Sequence, residues 1–216
     1  MIDLTKIEKI LDAIRDDLLP LTKKGVEEGN HVFGGLILDA ESCRTVVAGT
    51  NNRQGNPIFH GEIDTILRFF SMKDHPDPSR CIFVASHDPC SMCISAIAWA
   101  GFREIWVLFG YEDVAKDFEM PVDLMMYREV FGVEGAREKN AFFRKYSIKR
   151  ESENAPNADS LKAKIREITE TYASFKVKDF DYPGLKFFTG TVIMKERKDP
   201  CPSSFCILDK LTGTSH

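Results

Sequence analysis

Two short stretches carry residue types that could do chemistry: His60-Gly61-Glu62 and the run HDPCSMC at 87–93. In the second, Cys90 and Cys93 stand three apart, directly after Pro89. On the first turn of a helix that spacing turns both sulfurs to one side. Free N–H groups and the positive dipole end lower thiol pKa values there, so thiolates are available. By itself such a pair suits zinc, a redox dithiol or plain core packing.

His60 supplies a further donor. It falls at the predicted start of one helix and the cysteines at the start of the next. Successive α/β crossovers bring their helix starts to the same sheet edge, so His60, Cys90 and Cys93 can converge. Three protein ligands leave the fourth tetrahedral position of zinc to water, which is the catalytic rather than the structural pattern. Glu62 lies two residues after His60, so the two side chains diverge and one can ligate while the other reaches the reaction centre. Zinc lowers the pKa of a bound water to about 7. A carboxylate within hydrogen-bond reach can take that proton and deliver it to a substrate.

The elements that must position these groups follow from periodicity. Residues 3–28 place Ile7, Ile10, Leu11, Ile14, Leu18 and Leu19 on one face of a charged helix. HVFGGLILDAES (31–42) reads as a strand, and CRTVVAGTNN (43–52) as its hairpin partner through Ala40, Glu41 and Ser42. HGEIDTILRFFSM (60–72) has helical spacing, and CIFVAS (81–86) is fit for a buried strand. DPCSMCISAIAWAG (88–101) reads as a helix with Asp88 as N-cap, Pro89 in the first turn and Gly101 near its end. EIWVLFG (104–110) is a second buried strand, and YEDVAKDF and VDLMMYREVFG look helical. The alternation predicts an α/β fold: a three-layer α/β/α arrangement with a mixed central sheet of about five strands. The polar stretch KRESENAPNADS (149–160) reads as a linker, which divides the chain into a domain over 1–150 and a C-terminal extension over 151–216. In that extension, residues 161–175 suggest a charged helix and KFFTGTVIMKER a strand.

Composition bounds the function. The chain has 216 residues, 43% of them hydrophobic, enough for one domain with a real core. A formal charge of −4 argues against a domain-wide footprint for nucleic acid. The local run REKNAFFRKYSIKR (137–150), with aromatic residues between its cations, suits either an RNA surface or an amphipathic helix. Six irregularly spaced cysteines do not form a disulfide framework, so a reducing, cytoplasmic setting is expected. The acid-bearing N-terminus predicts no signal peptide, and no apolar run approaches the ~18 residues of a membrane span.

HGE followed by PCSMC resembles the H-x-E…P-C-x-x-C signature of zinc-dependent deaminases. FGG (33–35), TNN (50–52), Met92 and AIAWAG (96–101) extend the likeness over about residues 1–130. The chain resembles the cytidine deaminase-like superfamily, in the branch with cytosine, guanine and tRNA adenosine deaminases. That resemblance implies Zn²⁺ on His60, Cys90 and Cys93, with Glu62 as the catalytic proton shuttle. It implies hydrolysis of the exocyclic amine of a small base or nucleoside, and a homodimer. Asn51 stands where the family hydrogen-bonds the base or ribose. Phe33, His87 and Asp113 are the other candidate substrate contacts, Asp113 through ring N–H groups. The glycine of HGE is similar to fungal cytosine deaminase, whereas AIAWA is closer to guanine deaminase. tRNA editing and a non-catalytic zinc scaffold are the competing expectations; an intact Glu62 argues against the scaffold.

Overall fold

A computed structural model describes residues 4–111, 113, 122–153 and 155–176. Helix α1 (Leu4–Ala13) passes through a π turn (Ile14–Leu18) into α2 (Leu19–Glu27). The strands are β1 (Gly34–Asp39), β2 (Thr45–Thr50), β3 (Cys81–His87), β4 (Glu104–Phe109) and β5 (Arg144–Ser147). The remaining helices are α3 (Gly61–Ser71), α4 (Ser91–Trp99), α5 (Val122–Phe131), α6 (Ile148–Glu153) and α7 (Ala158–Ala173).

The sheet runs β2-β1-β3-β4-β5. β1 is antiparallel to both β2 and β3, while β3, β4 and β5 are parallel. The expected mixed five-stranded sheet is therefore what forms. Alternating residues send side chains to opposite faces. Leu36, Leu38, Ile82, Val84, Trp106 and Leu108 pack with Ile7, Leu11 and Leu18 from the first helices and with Ile148, Leu161, Ile168 and Tyr172. Ile37, Phe83, Ala85, Ile105 and Val107 meet Phe69 of α3, Ile94 and Ile97 of α4, and Tyr127 of α5. Each such side chain, fully buried, contributes about 1.5–3 kcal/mol. The three layers follow from this division. No described helix is long and apolar enough to cross a membrane.

Three local expectations are corrected. Helix α4 starts at Ser91 with Cys90 as its N-cap, and Asp88 instead binds Lys145. The basic run over 137–150 is not one helix: it holds β5 and the start of α6. The linker-like stretch contains most of α6, whose buried residues are only Ile148 and Ser152, so a mostly polar sequence still folds. Helix α7, which lies within the segment set apart after residue 150, buries Leu161, Ile168 and Tyr172 in the first core. Most of YEDVAKDF, the run KFFTGTVIMKER, and Cys201 and Cys206 lie outside the described residues.

Candidate metal centre and active site

The loop after β2 leads to the start of α3, and the turn after β3 leads to the start of α4. His60 is the N-cap of α3, with φ −61° and ψ 161°, and Cys90 is the N-cap of α4, with φ −63° and ψ 172°. Both ligand-bearing turns thus sit where helix N–H groups are unpaired and the dipole is positive. Close packing places α3. A Cβ on Gly61 would lie 2.4 Å from the Phe33 carbonyl oxygen and 2.5 Å from the Gly34 Cα. Only glycine lets the first turn of α3 rest on the start of β1 in this way.

The ligand atoms of His60, Cys90 and Cys93 all lie within 4.8 Å of one another. His60 Nδ1 is 3.7 Å from the Cys90 sulfur and 3.6 Å from the Cys93 sulfur. Zinc bonds of about 2.3 Å to sulfur and 2.0–2.1 Å to nitrogen, at a tetrahedral angle, require about 3.6 Å between such atoms. The donors fit the ion in both type and spacing.

Without metal, Cys90 is the thiolate of the set, while His60 and Cys93 hold protons that a bound ion would displace. The Cys90 thiol is held down to about 4, first by its hydrogen bond with Cys93, against burial, and then by His60. Burial pushes the Cys93 thiol up, and Cys90 and Glu62 add to this. Burial alone would lower His60, but its hydrogen bond to Cys90 and the charges of Cys90 and Glu62 outweigh it and raise the imidazole to about 9. Glu62 is buried in the first turn of α3. Burial, with the charge of Cys90, raises its carboxyl to about 7. A carboxyl poised there can both take and return a proton near neutral pH.

Residues 12–109 match the family profile described as "Cytidine and deoxycytidylate deaminase zinc-binding region". A probable cytosine deaminase from Schizosaccharomyces pombe is 28% identical over 131 residues, which covers 58% of this chain and 78% of that protein. A guanine deaminase from Bacillus subtilis is 27% identical over 114 residues, 51% of this chain and 70% of that protein. Among solved structures, a guanine deaminase from Bacillus subtilis superposes with a TM-score of 0.45 at 20% identity, over 76% of this chain and 94% of that chain. The matched region holds the three donors and Glu62, and these matches support a zinc-dependent deaminase of the cytidine deaminase-like superfamily.

The other candidate residues divide into two groups. Asn51 is buried just after β2, where its Oδ1 accepts the backbone N–H groups of His31 and Arg53, each at 3.3 Å. Those two donors fix which way the amide faces. The Asn51 N–H donates to the Phe33 carbonyl at 2.8 Å, and the Phe33 ring is half-buried. His87 closes β3. Its ring lies edge-on to Phe33 and to Tyr172 and beside Phe109, and its Nδ1 is 2.9 Å from the Ser86 hydroxyl. Burial pushes this imidazole down to about 3, which favours its neutral form.

Asp113 is engaged elsewhere: it pairs with Lys149 at 3.0 Å and accepts the Gly110 N–H at 3.0 Å. The carboxylate that adds to Glu62 in its charge on His60 is Asp123, in the first turn of α5. Burial and then the charge of Cys90 raise Asp123 to about 7. In the sequence it is one acid among several after β4, and no spacing sets it apart.

Proposed function

We infer that this deaminase hydrolyses the exocyclic amine of a free nucleobase or nucleoside of cytosine or guanine type. The observation that carries the reading is the buried Glu62 beside the three convergent metal donors. The names of the two sequence relatives, a cytosine and a guanine deaminase, support the substrate class. Zinc held by His60, Cys90 and Cys93 supplies, when bound, a water activated for attack on the amine-bearing carbon. Glu62 takes a proton from the attacking water and returns it towards the departing nitrogen. The C–N bond breaks, a carbonyl forms and ammonia leaves. We assign ring stacking to Phe33, and hydrogen bonds to the base to Asn51 and Asp123.

The basic run gives RNA little support. Lys145, Lys149 and Arg150 are paired with Asp88, Asp113 and Glu138. Less positive charge is left for a phosphate backbone.

We assign the outward face of α4 to a second copy of the chain. No residue from Ser91 to Trp99 is charged, and Trp99 is 91% exposed. Leu67 and Phe70 of α3 extend the exposed apolar set on the same layer. A cytoplasmic location suits the free thiols of Cys43, Cys81, Cys90 and Cys93.

The test is ammonia release by zinc-loaded protein against cytosine, guanine, adenine, their nucleosides and a tRNA anticodon stem-loop. Turnover of a small amine is expected. In Glu62→Ala, zinc content should match the parent while turnover falls about 10²–10⁴-fold. Full activity in that variant would refute the assigned proton transfer, and activity on the stem-loop alone would replace the small-molecule reading.

A further inference from the structure

The segment Asp88-Pro89-Cys90 joins the end of β3 to α4 and delivers the first thiolate. Pro89 has no N–H to donate, and the Asp88 N–H bonds to the Phe109 carbonyl at 2.8 Å. The rest of the segment is held by side chains from outside it. Lys145 Nζ, from β5, lies 2.7 and 2.8 Å from the two Asp88 carboxylate oxygens. The two side chains are only 8% and 13% exposed. Tyr111, just past β4, donates its hydroxyl to the Pro89 carbonyl at 2.5 Å. The two holders also meet each other: Lys145 Nζ lies 5.9 Å from the centre of the Tyr111 ring. A buried charge pair with both carboxylate oxygens engaged fixes position in a way an exposed pair does not.

We propose that Lys145 and Tyr111 are positioning residues for zinc, which clamp Asp88 and Pro89 so that the Cys90 sulfur stands at ligand distance from His60 and Cys93. Lys145 does so by charge as well as by geometry. It neutralises a carboxylate two residues from a thiolate ligand, which would otherwise add negative charge beside a dithiolate site. Neither residue touches substrate or metal; both act through the segment that carries Cys90. This inference rests on the zinc reading of the three donors.

The test compares full-length parent, Lys145→Met, Lys145→Arg and Tyr111→Phe. Zinc affinity is read by competition with a chromogenic chelator. The visible spectrum of the cobalt(II)-substituted proteins is read alongside, together with urea unfolding of each protein with and without EDTA. Outer partners of metal ligands typically govern affinity by about 10–100-fold. A loss in that range is expected for Lys145→Met, with a shifted thiolate-to-cobalt band and recovery in Lys145→Arg. Tyr111→Phe removes one hydroxyl and keeps the ring, so it folds even if Lys145→Met does not; a loss towards the lower end of that range is expected of it. A clamp that served stability alone would weaken the EDTA-treated and zinc-loaded proteins equally and leave affinity and spectrum at parent values. That result overturns the proposal. A parent protein that binds no zinc would instead refute the metal reading beneath it.

Discussion

Replacing Gly61 by alanine adds one methyl group at the point where α3 meets β1. The new Cβ would lie 2.4 Å from the Phe33 carbonyl oxygen, 2.5 Å from the Gly34 Cα and 2.7 Å from the Gly34 N. All are backbone atoms at the start of β1, a strand hydrogen-bonded on both sides, so none can swing aside. Ordinary contact begins at 3.4 Å, so the first turn of α3 must withdraw by about 1.0 Å. His60 and Glu62 flank the methyl and move with it, whereas Cys90 and Cys93 belong to α4 and stay. Overpacking of this kind costs about 1–3 kcal/mol. The lower entropy of an unfolded chain with alanine offsets only about 0.4–1 kcal/mol. Misplacement of a catalytic group by about 1 Å costs on the order of 100-fold in rate. Gly61→Ala should therefore unfold earlier in urea, bind zinc more weakly and lose about two orders of magnitude in kcat. Gly135→Ala is the control, since its Cβ would meet nothing within 4 Å. A Gly61→Ala protein with the parent's zinc affinity and turnover would refute the close-approach reasoning.

Asp123→Asn keeps the side chain's size but replaces an acceptor oxygen with a donor. A lost hydrogen bond to a charged group is worth about 1.5–3 kcal/mol, so KM for the amine substrate should rise about 10–100-fold with zinc content intact; an unchanged KM removes Asp123 from base recognition. His31 and His87 are each pushed down to about 3 by burial. Unfolded, each takes its proton near 6.5. The unfolded chain thus binds more protons through that window, and stability falls as pH drops from about 6.5 towards 3, by up to about 1.4 kcal/mol per pH unit for each ring. Urea unfolding of the parent and of His87→Gln should show a shallower pH dependence in the variant; parallel curves would show that His87 does not titrate this way. Trp99→Glu should convert a sedimenting dimer to monomer; a parent that is already monomeric removes α4 as an interface.

The metal group was legible because its members are local signals. Each ligand stands at a helix start, and helix starts announce themselves through turn residues and the onset of apolar spacing. Lys145 was not legible, because its partner Asp88 lies 57 residues away and only the parallel pairing of β4 with β5 brings them together. β5 itself is a four-residue edge strand, RKYS, with no fully buried residue, so its cations read as a surface run. Asp88 looked like a helix cap because Asp before Pro so often is one; a lysine on another strand claims its carboxylate. Asp123 could not be told from its neighbouring acids until α5 was placed in space.

The order of synthesis adds a consequence. The metal donors are complete once Cys93 has emerged, yet α7, which covers part of the first sheet face with Leu161, Ile168 and Tyr172, begins only at Ala158. Between those points a nascent chain holds Trp106 and Leu108 on a face that still lacks this cover, together with a set of thiols able to take an ion. Such a half-covered sheet is the species most prone to wrong association. Lys145 and α7 follow the metal donors in succession, so the centre is braced and this part of the sheet is covered only after the donors have emerged.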